Sequence, residues 1–121
     1  MSNNVESLMQ AYIDSATIHG EATLGGDYKR ANRAAKNLIK IYKIMEQDHQ
    51  LAAQMLEVLM SCQNINVRVY SSAHALGLCI YIDKATTILE EISSQKDSGI
   101  FGSDADMTLT AYKNKGYLKF Y

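Results

Sequence analysis

The chain has 121 residues, of which 47% are hydrophobic and 21% charged, proportions that exclude a disordered, fibrous or disulfide-framework protein and suit one globular core. Twelve Lys and Arg side chains against thirteen Asp and Glu leave a net charge of −1, so no global field draws the chain onto nucleic acid or an anionic membrane. The absence of proline and the abundance of Ala, Leu, Lys, Glu, Gln and Met predict an all-α fold.

From Val5 to His19, apolar residues recur at helical spacing, with Val5, Leu8, Met9, Tyr12, Ile13 and Ala16 on one stripe and Asn3 with Glu6 as a capping box. Gly20 to Gly26 reads as a turn, after which Asp27 can accept the first free amides of the next helix. Tyr28 to Gln47 divides into two faces. Ala31, Ala34, Ala35, Leu38, Ile41, Tyr42 and Met45 form the apolar one, opposite a basic ridge of Lys29, Arg33, Lys36, Lys40 and Lys43. Leu51 to Met60 is a shorter amphipathic helix. Asn64 then caps a helix over Ile65 to Tyr81, whose nearly apolar second half places it at the centre of the domain. Asp83 is the expected cap of a helix from Lys84 to Ser93, Gln95 to Gly102 the expected loop, Ser103 with Asp106 a second capping box, and Gly116 a left-handed terminator. The aromatic tail Tyr117 to Tyr121 is expected to fold back onto the body.

The longest apolar run, Ala75 to Ile82, is far shorter than the roughly 20 residues a membrane helix needs. Met1 to Glu6 is polar and acidic, unlike a signal peptide, so a cytoplasmic location is expected. Cys62 and Cys79 form no Cys-x-x-Cys pair and are expected to be reduced, packed thiols.

The stretch Met55 to Gly77 resembles a HEAT repeat: a leucine-rich first helix, a short polar turn, then Val67-Arg68 opening a second helix that carries Ala73-His74-Ala75-Leu76. Cys62-Gln63 stands in its turn in place of the usual aspartate or proline. Over Asp27 to Leu118 the order of features is similar to a family of small bacterial HEAT-like domains of unknown function. Gly26 to Asn32, Lys84 to Ile92, Phe101 to Leu109 and Lys115-Gly116-Tyr117-Leu118 carry that likeness. The resemblance implies an all-α fold of five to six helices in antiparallel HEAT-like pairs, a short solenoid or bundle, with residues 1–121 as a single domain. It also implies, for some members, an immunity role in which the protein binds and blocks a partner toxin.

No phosphate-cradling loop, Gly-x-Ser-x-Gly elbow, His-Glu-x-x-His helix or calcium loop occurs, so neither catalysis nor a cofactor or metal is expected. His19 and His49 fall at expected helix ends, where exposure is ordinary, and His74 lies on the central helix, where one hydrogen bond would satisfy it. Glu90, Glu91, Asp97, Asp104 and Asp106 could pair as acid and base, form a solvated face, or offer carboxylates to the basic cleft of a nuclease. An enzyme built on Glu90, Asp97 or His74 would need a pocket joining them. The ridge of Lys29, Arg33, Lys36, Lys40 and Lys43 reads as a solvated face, a dock for an acidic protein, or a phosphate-tracking groove. Tyr112 to Tyr121 mixes lysine with aromatics as stacking platforms do, and core docking explains it equally well. The expected function is an antitoxin-like protein that occludes a partner toxin, with a nucleic-acid-binding domain as the alternative.

Overall fold

The computed structural model describes residues 4–121. Its elements are six helices: α1 (Val5–Leu24), α2 (Tyr28–Gln47), α3 (His49–Leu59), α4 (Ile65–Leu78), α5 (Ile82–Ser94) and α6 (Ile100–Lys115). Among the described residues there is no strand, and no helix is long and apolar enough to cross a membrane.

Four helices start where a short polar side chain can take up otherwise free amides, a contribution of about 1 kcal/mol each. Asn4 accepts from Ser7 N at 3.1 Å, Asp27 from Arg30 N at 3.2 Å, and Asp48 from Leu51 N at 3.1 Å. Asn64 accepts from Asn66 N and Val67 N at 2.9 and 3.1 Å. The caps expected at Asp27 and Asn64 are therefore present. Asn3 lies outside the described residues, and Asn4 is the α1 cap. Asp48 was not read from the sequence: it ends α2 and starts α3, so a single residue turns the chain.

Two other expected caps are corrected. Helix α5 begins at Ile82 on Tyr81 (φ 50°), which places Asp83 within the first turn, where its carboxylate faces the positive end of the helix. Helix α6 begins at Ile100, because Gly99 reverses the chain at φ 57°, ψ −128°, a conformation essentially closed to other residues. Ser103 and Asp106 are thus inside α6, and the loop is shorter than Gln95 to Gly102.

The turn expected at Gly20 is also displaced. Helix α1 passes through Gly20, where an added Cβ would lie 3.2 Å from Asn66 Cβ and 3.3 Å from Phe101 Cζ, so this glycine admits neighbours rather than breaking the helix. The break comes at Gly26 (φ 77°), where Gly26 N donates to Thr23 O at 3.2 Å and Asp27 N to Ala22 O at 2.8 Å, a Schellman motif. The same pattern ends α4 three residues earlier than expected: Cys79 N donates to Leu76 O at 3.2 Å and Ile80 N to Ala75 O at 2.9 Å. There the left-handed residue is Cys79 (φ 58°), which is exposed rather than packed; Cys62 is half-buried, and both thiols are free.

Helix α4 packs against α1, α3, α5 and α6, the central place expected for it, while α1 makes its broadest contact with α2. All six helices contribute to one core, including Tyr12, Leu38, Met55, Leu76, Leu89 and Leu109. The tail also returns as expected. The Phe120 ring lies 4.8 Å from Tyr42 and 4.7 Å from His74, and it crosses α4 where Gly77 has no side chain. Lys43 Nζ sits 4.5 Å above the Tyr121 ring, whose hydroxyl donates to Glu46.

Two substitutions test these backbone readings by denaturant unfolding. Cys79→Gly is expected to stabilise by about 1 kcal/mol, since it relieves a non-glycine left-handed residue. Gly77→Ala places a Cβ 2.6 Å from Phe120 Cε2 and 2.7 Å from Tyr42 Oη, so it is expected to destabilise the intact protein. In a Phe120→Ala background the same change is expected to cost less, because only the contact with Tyr42 Oη remains and that ring can turn into the space Phe120 leaves.

Candidate functional site

Asn66, Tyr70 and His74 stand four residues apart on α4 and so share one face. Facing them on α1 is a stripe of Tyr12, Ala16, His19 and Gly20. Tyr12, at one end of the α1 stripe, meets His74, while Ala16 and His19 meet Asn66 and Tyr70. Tyr12 Oη lies 2.7 Å from His74 Nδ1, Tyr70 Oη 3.2 Å from His19 Nε2, and Asn66 Nδ2 donates to Ala16 O at 2.8 Å. His19 is therefore half-buried within the last turns of α1, and not an exposed helix end as the sequence suggested; His49, at the start of α3, is exposed.

The Asn66 amide nitrogen can only donate, and this favours one arrangement of the His19 proton. The Ala16 carbonyl fixes which end of the Asn66 amide is nitrogen, and that nitrogen's second hydrogen faces His19 Nδ1 at 3.4 Å. Nδ1 is then an acceptor, so the neutral ring carries its hydrogen on Nε2 and donates it to Tyr70 Oη. The hydroxyl hydrogen of Tyr70 is left to turn elsewhere. Burial pushes the His19 pKa down against the opposing pull of Asp104, while burial followed by the Asp104 charge pushes Tyr70 up to about 12. His74, sealed in the core, is pushed down to about 3 by burial. Both imidazoles are neutral at neutral pH.

The outer end of this row opens into a cleft of about 330 Å³ between α1, α4, α6 and the tail. His19, Asn66 and Tyr70 form its floor, Asp104 and Met107 come from α6, and Phe120 closes one side, with Val69, Ala73 and Thr108 completing the wall. Asp104 is half-buried, and burial raises its carboxyl pKa, with His19 acting in the opposite direction. Both ring nitrogens of His19 are engaged within the protein, so it braces Tyr70 and has no free nitrogen to move a substrate's proton.

The five expected acidic residues separate. Asp104 alone lines the cleft; Glu90, Glu91, Asp97 and Asp106 are exposed, and the trio of His74, Glu90 and Asp97 is divided between core and surface. The basic ridge is present, with Lys29, Arg33, Lys36, Lys40 and Lys43 all exposed along α2. Lys29, Asn32, Arg33 and Lys36 line a shallow depression of about 340 Å³, whereas Lys43 turns to Tyr121. Among the described residues, no group of three or more His, Cys, Asp or Glu is placed to hold a metal ion.

No family model, no curated protein and no solved structure matches this chain. The cleft's chemistry must therefore be read from its own residues.

Burial of His74 fixes a pH dependence. The unfolded chain takes up a proton there near its ordinary value of 6.5, and the folded chain only near 3, so acid favours unfolding across that window. Once the unfolded imidazole is charged, stability falls by about 1.4 kcal/mol per pH unit from this one group. The half-buried His19, also lowered, acts in the same direction. The His74→Gln variant is expected to lose less stability than the parent between about pH 5.5 and 4.5, by roughly that amount. Parallel stability curves would show that His74 takes up its proton in the folded state.

Proposed function

We propose that the protein is a protein-binding module, acting as an antitoxin-like immunity protein that covers the working surface of a partner toxin. The observation that carries this reading is the cleft beside α4 and α6, where a half-buried carboxylate sits among aromatic walls and the exposed Met107, 67% accessible, stands on the rim. A largely apolar pocket with a few fixed polar groups is the kind of site in which one partner residue can be anchored and desolvated. His19 there serves as a brace. The likeness of Asp27 to Leu118 to HEAT-like domains, some of which look like immunity proteins, supports the same reading. So does the expectation of a cytoplasmic location, where such a protein would meet its toxin.

A second reading has its own observation. The depression lined by Lys29, Asn32, Arg33 and Lys36 would suit a phosphate backbone, and it makes a nucleic-acid-binding role the alternative.

Co-expression with the product of the adjacent gene, followed by affinity purification, separates the two. The protein is expected to co-purify with that product and protect the cell from it. Met107→Glu is expected to weaken capture at least tenfold, and the Lys36→Glu, Lys40→Glu double variant to leave it intact. Failure of the parent to bind or protect would overturn the immunity reading. Salt-sensitive binding to nucleic acid that is lost in the double variant would establish the alternative.

A further inference from the structure

The cleft beside Asp104 combines features that narrow its occupant. Its volume, about 330 Å³, is at the small end of ligand sites, enough for one extended side chain or a fragment. Asp104 is its one fully charged wall group at neutral pH, since burial keeps His19 neutral. Two rings, Tyr70 and Phe120, and the Met107 thioether supply polarizable surface around it. In the tautomer that Asn66 favours, His19 donates its Nε2 hydrogen to Tyr70 Oη, which leaves the Tyr70 hydroxyl hydrogen available to an acceptor in the cleft.

We infer that this cleft is a receptor for a single arginine side chain presented by a protein partner. The charge complementarity is direct: a guanidinium meets the half-buried Asp104 carboxylate, and its flat face can lie on an aromatic ring as a compact, strongly hydrated ammonium does less well. A peptide-borne arginine also brings backbone carbonyls, one of which can accept from Tyr70; a free amine would bring none. The inference rests on the protein-binding reading and names the residue that the site would hold.

The probe is N-acetyl-arginine N-methylamide, titrated into the full chain while backbone amide resonances are followed. Saturable shifts are expected along Asn66 to Ala73 and Asp104 to Thr108, with an affinity on the order of 1 mM. The citrulline analogue, of the same shape without the charge, is expected to bind at least tenfold more weakly, and the lysine analogue to fall between them. Asp104→Asn is expected to weaken the arginine probe at least tenfold; the citrulline arm uses the unaltered protein and so does not depend on how that variant folds. Equal binding of citrulline, tighter binding of lysine, or shifts confined to the Glu90 and Glu91 face would each overturn the inference, as would no saturable shift. None of those results would disturb capture of a partner in co-expression, so the cleft's specificity and the protein-binding function fail separately.

Discussion

The hydrogen bond between Tyr12 Oη and His74 Nδ1, 2.7 Å long and fully buried, is the interaction around which the other helices are arranged. Helix α4 is buried on nearly every side, yet it carries Asn66, Ser71, Ser72 and His74 into the core. Each of these polar groups would cost about 1–3 kcal/mol if left without a partner. Ser71 satisfies itself on the Val67 carbonyl at 2.7 Å, whereas the Ser72 hydroxyl has no partner and bears that cost. Asn66 and His74 have no such local solution and must draw on α1. The packing of α1 on α4 is therefore specified by directional bonds as well as by apolar area, and Gly20 lets the backbones come close enough to make them.

The same requirement shapes the surface. Where the α1 and α4 stripes meet deep in the protein, the tail lays Phe120 over His74 and seals the row. Where they emerge, between His19 and Tyr70, no side chain closes the gap completely, and α6 contributes Asp104 and Met107 to its edge. The cleft is thus the outer end of the bonds that organise the core. Its floor has little freedom, because Asn66, His19 and Tyr70 constrain one another and all three bond across α1 and α4. A rigid floor and a single half-buried carboxylate favour selection of one kind of side chain over adaptable contact with many.

The α2 amphipathic face was legible in the sequence because period and chemistry coincide there: Ala31, Ala34, Leu38, Ile41, Tyr42 and Met45 are buried, Ala35 is half-buried, and the basic ridge is exposed. Asp27, Asn64 and Gly116 were legible because a cap or terminator is a local device. Gly20 was misread since a glycine that breaks a helix and one that admits a neighbour look alike until the neighbour is known. Asp83 and Ser103 were misread because left-handed Tyr81 and Gly99 start those helices earlier, and a tyrosine in that conformation gives no sequence warning. The cleft was not legible as a site, since its bonds join residues about fifty positions apart. The one trace was the spacing by four of Asn66, Tyr70 and His74 opposite a stripe containing Tyr12 and His19.

The proton assignment along that row is the claim on which both the brace at His19 and the free Tyr70 hydroxyl hydrogen depend. Long-range proton–nitrogen correlation spectra of the imidazoles, recorded from neutral pH down to about pH 5, read it directly. The account predicts a neutral His19 carrying its hydrogen on Nε2, with unprotonated Nδ1, that stays neutral below the ordinary histidine value, together with a His74 that shows no titration over this range. A His19 bearing its hydrogen on Nδ1, or charged at neutral pH, would contradict it.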